Sequence, residues 1–439
     1  MLQRLKRTFW RAGLLATIFS LLGTMVALAA SGALDGTFGG SGKQTTDFAS
    51  SWDDRLYAIA LQSDGKIVAA GLRSDPAAPA AATRDFAVAR YDNGNLDLTF
   101  SGDGKRLTDF GARDEAYDVA IQSDGKIVVS GETCMTTAPW DCDLAEARYT
   151  THGNPDTSFS GDGKQVVSYG SGDNGSTGGL AIQADGKIVI AGFMFNNNGD
   201  YDLAVYRLND DGSPDSTFSG DGKQRFSFGS GRQESASDVL VSGNKIVVAG
   251  TICDGTGFAC NFAVARLTSG GALDSTFSGD GKQVTNFGGE DHAYGLALQP
   301  DDRIVVAGEK YAGGLDHFFA LARYNTNGTP DLTFSGDGKQ TVRFGDDARA
   351  KAVLVQADGK IVVAGTGRGS ASFDFAMARL NPGGGLDSTF SGNGKANFDF
   401  GGNQDSGYAL VLQGDDKYVL GGYTDTGPQD DFALLRVLP

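Results

Sequence analysis

The sequence is short of several residue types. Of 439 residues only 10 are Pro, 5 Met, 4 Cys and 3 His, and Lys plus Arg number 37 against 54 Asp plus Glu. A formal charge of −17 and a pI near 4.6 exclude nucleic acid or an anionic membrane as partner, because both demand dense basic surfaces. Scarce Pro, and Gly without an every-third-residue period, exclude collagen. After residue 30 no run is apolar enough to span a bilayer. The three His (His152, His292, His317) stand apart in the chain, and no Gly-x-Ser-x-Gly elbow, His-Glu-x-x-His helix or phosphate-cradling loop occurs in a matching context. Gly is what abounds: 65 residues, about twice ordinary usage. With 40% hydrophobic residues the chain has the material for a packed core, so the Gly must serve turns.

Residues 1–30 carry Arg4, Lys6, Arg7 and Arg11 and no acid, then an apolar run over 13–28 that ends in Ala-Leu-Ala-Ala. This order predicts a secretory signal peptide, with an uncleaved anchor as the competing reading. Cleavage near Ala30 takes the formal charge from −17 to −21. The expected location is secreted, periplasmic or cell-surface, with no membrane contact after cleavage.

Beyond the leader one phrase recurs, Leu/Pro-Asp-x-Thr/Ser-Phe-Ser-Gly-Asp-Gly-Lys, with its Phe at 38, 100, 159, 218, 277, 334 and 390. After each copy come the same short runs. For the second they are 105–110 (KRLTDF), 116–122 (AYDVAIQ), 126–131 (KIVVSG) and 143–149 (DLAEARY). Runs of 5–7 residues bounded by Gly, Asp and Asn read as strands, and Asp-Gly between two of them reads as a type I′ hairpin turn. Seven units of four antiparallel strands predict an all-β fold, a seven-bladed β-propeller over 31–439. A β-solenoid, with shorter coils, is the runner-up. The repeat starts out of phase: 43–48 has no third strand before it, and 431–437 has no outer strand after it. Pairing of these two segments is expected to close the ring and remove both sheet edges. The LDxTFSGDGK, QxDGKIVVAG and DFAVARY phrases resemble the delta-60 repeat family of exported bacterial proteins. The resemblance spans essentially all of 31–439 and implies a propeller while implying no biochemical activity.

An Arg closes the third strand of every unit: Arg90, Arg148, Arg207, Arg266, Arg323, Arg379 and Arg436. Six are followed by an Asp in the next phrase (Asp97, Asp156, Asp215, Asp274, Asp331, Asp387), and Asp35 is the partner available to Arg436. Period-two alternation turns these guanidinium groups toward a packed side, where each needs a carboxylate, so a structural tie is expected rather than a functional arginine ring. Alternate oxygens in Asp97-Leu-Thr99-Phe-Ser101-Gly-Asp103-Gly resemble the start of a calcium loop, but Thr and Ser stand where charged ligands belong. No cofactor or metal is therefore expected, with calcium as the alternative. Cys134 and Cys253 each lie three residues after a Gly, and Cys142 and Cys260 each six before an Arg. This shared register predicts two loop-stapling disulfides, Cys134–Cys142 and Cys253–Cys260, rather than a zinc site drawn from non-adjacent units.

A four-stranded unit sends alternate connections to opposite faces. The Asp-Gly and Phe-Ser-Gly turns on one face barely vary, whereas the other face carries unlike loops such as SDPAAPAAATR after Gly71 and an Asn run at 196–198. Loops that vary on a rigid scaffold are where binding resides. The loops leading into the innermost strands each bring an acid (Asp54, Asp114, Asp173, Glu234, Asp291, Asp347, Asp405), a candidate ring of carboxylates at the channel mouth for a cation or basic ligand. His292, beside Asp291, is the single plausible base. The expected function is an exported, monomeric binding module for a protein or glycan. The alternative is a polysaccharide hydrolase or lyase using mouth carboxylates.

Overall fold

The computed structural model describes residues 30–439 apart from 50–51, 75–83, 136–141, 169–174, 196–198, 256–258, 315, 370–371, 403, 426 and 428. The expected leader up to residue 29, much of the SDPAAPAAATR loop, the Asn run and Asp173 lie outside the described residues. Among the described residues there are 29 strands and no helix.

The first unit sets the pattern. Asp53–Leu61 pairs with Ile67–Ser74, that strand with Arg84–Asp92, and the last with Lys105–Thr108, all antiparallel. The second strand, IVAAGLRS, is buried along most of its length because neighbouring units cover both its faces. This is why KIVVAG reads as an unbroken apolar run. The first strands of the later units are Arg113–Ile121, Gly175–Ile182, Gln233–Ser242, Glu290–Leu298, Ala348–Val355 and Asp405–Leu412. Three four-stranded sheets stand alone. Single parallel bridges, Arg84↔Arg113 and Tyr201↔Gln233, merge two pairs of units into larger sheets. The N-terminal strand Lys43–Thr46 pairs with Asp431–Val437 near the C terminus, Lys43 opposite Leu435, completing a four-stranded sheet with Tyr418–Thr424 and Asp405–Leu412.

The core lies between units rather than within one. Ala58, Val68 and Phe86 of the first unit pack with Ala116, Val129 and Tyr149 of the second, and Leu56 and Ile59 of the first pack with Val419 and Phe432 of the last. Every Phe of the repeated phrase is fully buried. Beside it the unit's Arg makes a fixed set of contacts. Arg148 Nε donates to Asp156 at 2.8 Å, its Nη2 to Ser158 at 3.0 Å, and its guanidinium lies 4.8 Å from the Phe159 ring. Its Nη1 reaches the Asp210 carbonyl in the next unit. Arg90–Asp97, Arg207–Asp215, Arg266–Asp274, Arg323–Asp331 and Arg379–Asp387 repeat the pair at 2.6–2.8 Å, and Arg436 Nε donates to Asp35 at 2.8 Å across 401 residues.

The hairpin turn departs from type I′. Gly65, Gly125 and Gly186 have positive φ while the Asp before each does not. The turn is therefore a type I turn completed by one left-handed residue, a role Asp302 and Asp416 take where Gly is absent. The Lys after this turn also carries structure: Lys66, Lys126, Lys187, Lys245, Lys360 and Lys417 place Nζ 2.8–3.3 Å from the same tie carboxylates. Cys134–Cys142 and Cys253–Cys260 form disulfides across the strand ends where Cys pairs with Cys in register.

Candidate functional site

Each first strand contains one β-bulge at the same position. Pairing skips Tyr57, Tyr117, Gly178, Ser237, Tyr294, Lys351 and Tyr408, the extra residue of each unit. The cause is on the second strand. A Cβ on Gly71, Gly131, Gly192, Gly250, Gly308, Gly365 or Gly422 would lie 1.9–2.0 Å from a carbonyl oxygen just before the bulge. Only Gly admits that approach, and it accounts for the final Gly of the repeated VVAG.

The bulge residues of all seven units line one cavity of about 210 Å³ between the first strands. Its lining is lopsided. Tyr117, Tyr57 and Tyr408 follow one another with ring centroids 5.9 and 5.1 Å apart. Lys351 Nζ lies 3.2 Å from the Tyr294 centroid and 5.9 Å from that of Tyr408. Gly178 and Ser237 leave the remaining arc open. Tyr117 Oη lies within hydrogen-bond range of Glu132 and Glu115, and Tyr294 Oη donates to Glu309 at 2.6 Å. Arg113 and Arg84 both pair with Glu115. Burial alone would raise this carboxyl, but the two guanidinium groups hold it below its usual value. Arg349 reaches Asp347 at 3.2 Å and Glu309 at 3.4 Å, while His317 Nδ1 lies 2.9 Å from Glu309. No carboxylate lies within 4 Å of Lys351 among the described residues, and burial lowers its ammonium to about 8.

The acids singled out in the sequence stand elsewhere. Asp54, Asp114, Glu234, Asp291 and Asp405 occupy one register position, two residues before the last one paired ahead of the bulge. All five are buried, each accepting the backbone N–H of a Phe four to six residues earlier at 2.6–2.7 Å. They fold the entering turn onto its strand. Burial, partly offset by that N–H, raises Asp114 and Asp291 to about 6. Asp347 falls one residue out of this register, where it accepts from Arg349. The residue after the shared acid differs by unit (Arg55, Glu115, Ser235, His292, Ser406) and lies on the same side of the strand as the bulge residue. His152 is exposed in a turn on the opposite face.

A larger cleft of about 760 Å³ on that face is lined by Arg90, Thr99, Gln122, Thr151 and His152. Arg323, Thr333 and Pro382 rebuild it at another junction. It recurs because the folding ties recur, which sets it apart from the unlike residues of the central cavity. Within the repeated phrase, Asp97 is committed to Arg90, Lys66 and Thr99.

A family model described as a domain of unknown function (DUF5122) beta-propeller matches residues 62–100, 183–218, 299–334 and 356–390. The chain carries propeller repeats. No curated protein matches it. Among solved structures it is similar to a polysaccharide lyase described as an ulvan lyase bound to -[GlcA(1-4)Rha3S]-, with TM-score 0.52, 11% identity, and 90% and 96% of the two chains covered. A protein of unknown function from Dyadobacter fermentans aligns with TM-score 0.47 and 11% identity over 90% and 98%. An alpha-L-arabinanase from Penicillium chrysogenum gives 0.45 and 9% over 88% and 94%. At 11% identity the likeness to the ulvan lyase is one of fold, all-β and propeller-like. The two disulfides are consistent with an extracellular or periplasmic protein. No helix among the described residues is long and apolar enough to cross a membrane.

Proposed function

We propose that the chain is an exported seven-bladed propeller, closed by pairing of its terminal strands, that binds a glycan at its central cavity. The supporting observation is the lining itself. Positions equivalent in seven copies of one unit carry four Tyr, one Lys, one Gly and one Ser, so the scaffold is constant and the cavity is not. Tyr rings offer flat apolar faces with a polar edge, and a few charged groups beside them fix orientation; this is the make-up of a specific pocket. Packing of Asp53–Leu61 against Asp405–Leu412 supports ring closure, as does the pairing of Lys43–Thr46 with Asp431–Val437. The apolar leader over 13–28 supports export.

The test is a glycan panel screened with the mature protein, followed by calorimetry on any hit. Tyr57→Ala and Tyr408→Ala each weaken binding about tenfold without loss of fold. A hit bound equally well by both variants, or no hit from a panel spanning neutral and acidic chains, refutes the reading. A second reading, a lyase, is supported by Lys351 alone: an amine lowered to about 8, lying over the face of the Tyr294 ring in the cavity, is equipped to take and return protons. Unsaturated product, detected by ultraviolet absorbance and lost in Lys351→Met, would establish it.

A further inference from the structure

Where one unit meets the next, three positions converge: the residue after the outer strand, the residue facing it at the start of the third strand, and the capping acid of the following first strand. At three junctions all three are Asp. The trios are Asp374–Asp399–Asp405, Asp47–Asp54–Asp431 and Asp85–Asp109–Asp114, with one carboxylate oxygen of each residue within 4.8 Å of the others. Elsewhere the three positions are not all acidic, and one junction keeps Asp202 and Glu234 beside Ser227. They become Asn261, Asn286 and Asp291 at a second junction and Phe318, Arg343 and Ala348 at a third, where the carboxylates vanish as a cation arrives.

The three trios are not equivalent. Asp85 accepts from Arg73 at 2.6 Å, which brings a positive charge into its trio. Asp405 Oδ1 takes the Thr424 hydroxyl and Asp374 Oδ1 the Ser372 hydroxyl, so those oxygens are occupied. In the trio at the meeting of the chain ends no hydroxyl or guanidinium donates to a carboxylate among the described residues. Asp54 is fully buried; its Oδ2 accepts the Phe48 N–H at 2.6 Å, and its Oδ1 has no hydrogen-bond partner. None of Asp47, Asp54 and Asp431 forms an ion pair among the described residues. The cations closest to the trio are committed elsewhere. Lys105 donates to the backbone carbonyl of Asp47 over the Phe48 ring, Arg73 pairs with Asp85, and Arg55 pairs with Asp430. Gathering three carboxylates around a buried oxygen, offset only in part by Arg73 opposite Asp54 because Asp85 already holds that guanidinium, is costly unless something positive joins them.

We propose that Asp47, Asp54 and Asp431 bind one hard divalent cation of the calcium class. An all-carboxylate donor set favours such an ion over zinc or copper, and water completes its oxygen shell. The ion joins the loop after Lys43–Thr46, the first strand of the first unit and the third strand of the last, so it fastens the closure where both chain ends meet. The site is separate from the central cavity and does not depend on its ligand.

Isothermal titration of the EDTA-treated full chain with calcium chloride is the test, with thermal unfolding followed in parallel. One calcium site per chain is expected, weakened at least tenfold in Asp47→Asn and in Asp431→Asn and unchanged in Asp109→Asn, with calcium raising Tm of the wild type. Circular dichroism checks that each variant is folded; Asp47 is exposed, so its replacement leaves the core untouched. Absence of both heat and Tm shift with calcium overturns the proposal, as does wild-type affinity in a folded Asp47→Asn or Asp431→Asn. Equal loss in Asp109→Asn refutes the assignment to this junction.

Discussion

The two faces of this molecule are built from the same seven units yet differ in what repetition preserves. On the face of the Asp-Gly turns each unit sets an Arg against a Phe and an Asp, with geometry that hardly changes from Arg90 to Arg436, and five of the seven also reach a carbonyl in the next unit's turn. Around the cavity between the first strands the backbone bulge repeats as faithfully, but the residue it presents is Tyr, Gly, Ser or Lys. Constancy marks where units hold one another, and variation at a constant backbone position marks where the surface is free to specialise.

The strongest way to break this comparison is to remove a tie. Arg148 is nearly fully buried, and Arg148→Ala leaves Asp156 without its guanidinium and the Phe159 ring uncovered. A loss of about 3–5 kcal/mol in urea unfolding is expected. A loss below about 1 kcal/mol would make the ties incidental. Gly308→Ala follows at about 2–3 kcal/mol, since its Cβ would lie 1.9 Å from the His292 carbonyl. This change joins the two regions: the bulge shifts, Tyr294 moves, and ligand binding falls although no cavity residue was altered. Retained affinity in Gly308→Ala would uncouple bulge from site. Next come the disulfides. Replacing Cys134 and Cys142 by Ser opens a loop of separation 8 and costs about 2 kcal/mol. Far-ultraviolet dichroism of the reduced protein stays that of the folded state, and global unfolding on mild reduction would contradict the peripheral placement.

The smallest effect separates the tie acids from the turn-capping acids by sign. The tie carboxyl Asp387 lies at about 2 in the fold: burial opposes ionisation, but the Thr389 hydroxyl and N–H, Lys360 and Arg379 outweigh it. Its contribution is complete above about pH 4, the unfolded value, and is lost as pH falls toward 2. Asp114 and Asp291 hold their protons to about 6, whereas the unfolded chain releases them near 4, so stability falls as pH rises from about 4 to 6. Urea midpoints should therefore peak near pH 4. Asp387→Asn should flatten the acid limb and Asp291→Asn the upper one; a profile rising steadily from pH 4 to 7 would contradict the second assignment.

Much of this was legible in the amino acids, and the limits have a physical cause. Short runs, Asp-Gly turns and the pairing of 43–46 with 431–437 follow from alternation and from the phase of the repeat. The Cys pairs follow from shared register. The central cavity did not emerge because attention to recurring residues selects the constant position. Asp54, Asp114, Glu234, Asp291 and Asp405 recur because they cap a turn. The residue one step on faces the other way, and only the differences among Arg55, Glu115, Ser235, His292 and Ser406 mark it. One signal was present: Tyr stands at the same place in LYAIAL, AYDVAI, AYGLAL and GYALVL. Using it required knowing that a bulge follows, because the bulge resets which side of the strand each later residue faces.

The central claim is that the bulge residues form a ligand site while the ties hold the fold. Its most direct test is calorimetry of the panel's best glycan against a Tyr57→Ala/Tyr408→Ala double variant, with urea unfolding of the same sample. The account predicts affinity reduced at least tenfold with the unfolding midpoint nearly unchanged. Unaltered affinity, or a collapse of stability matching that of Arg148→Ala, would contradict it.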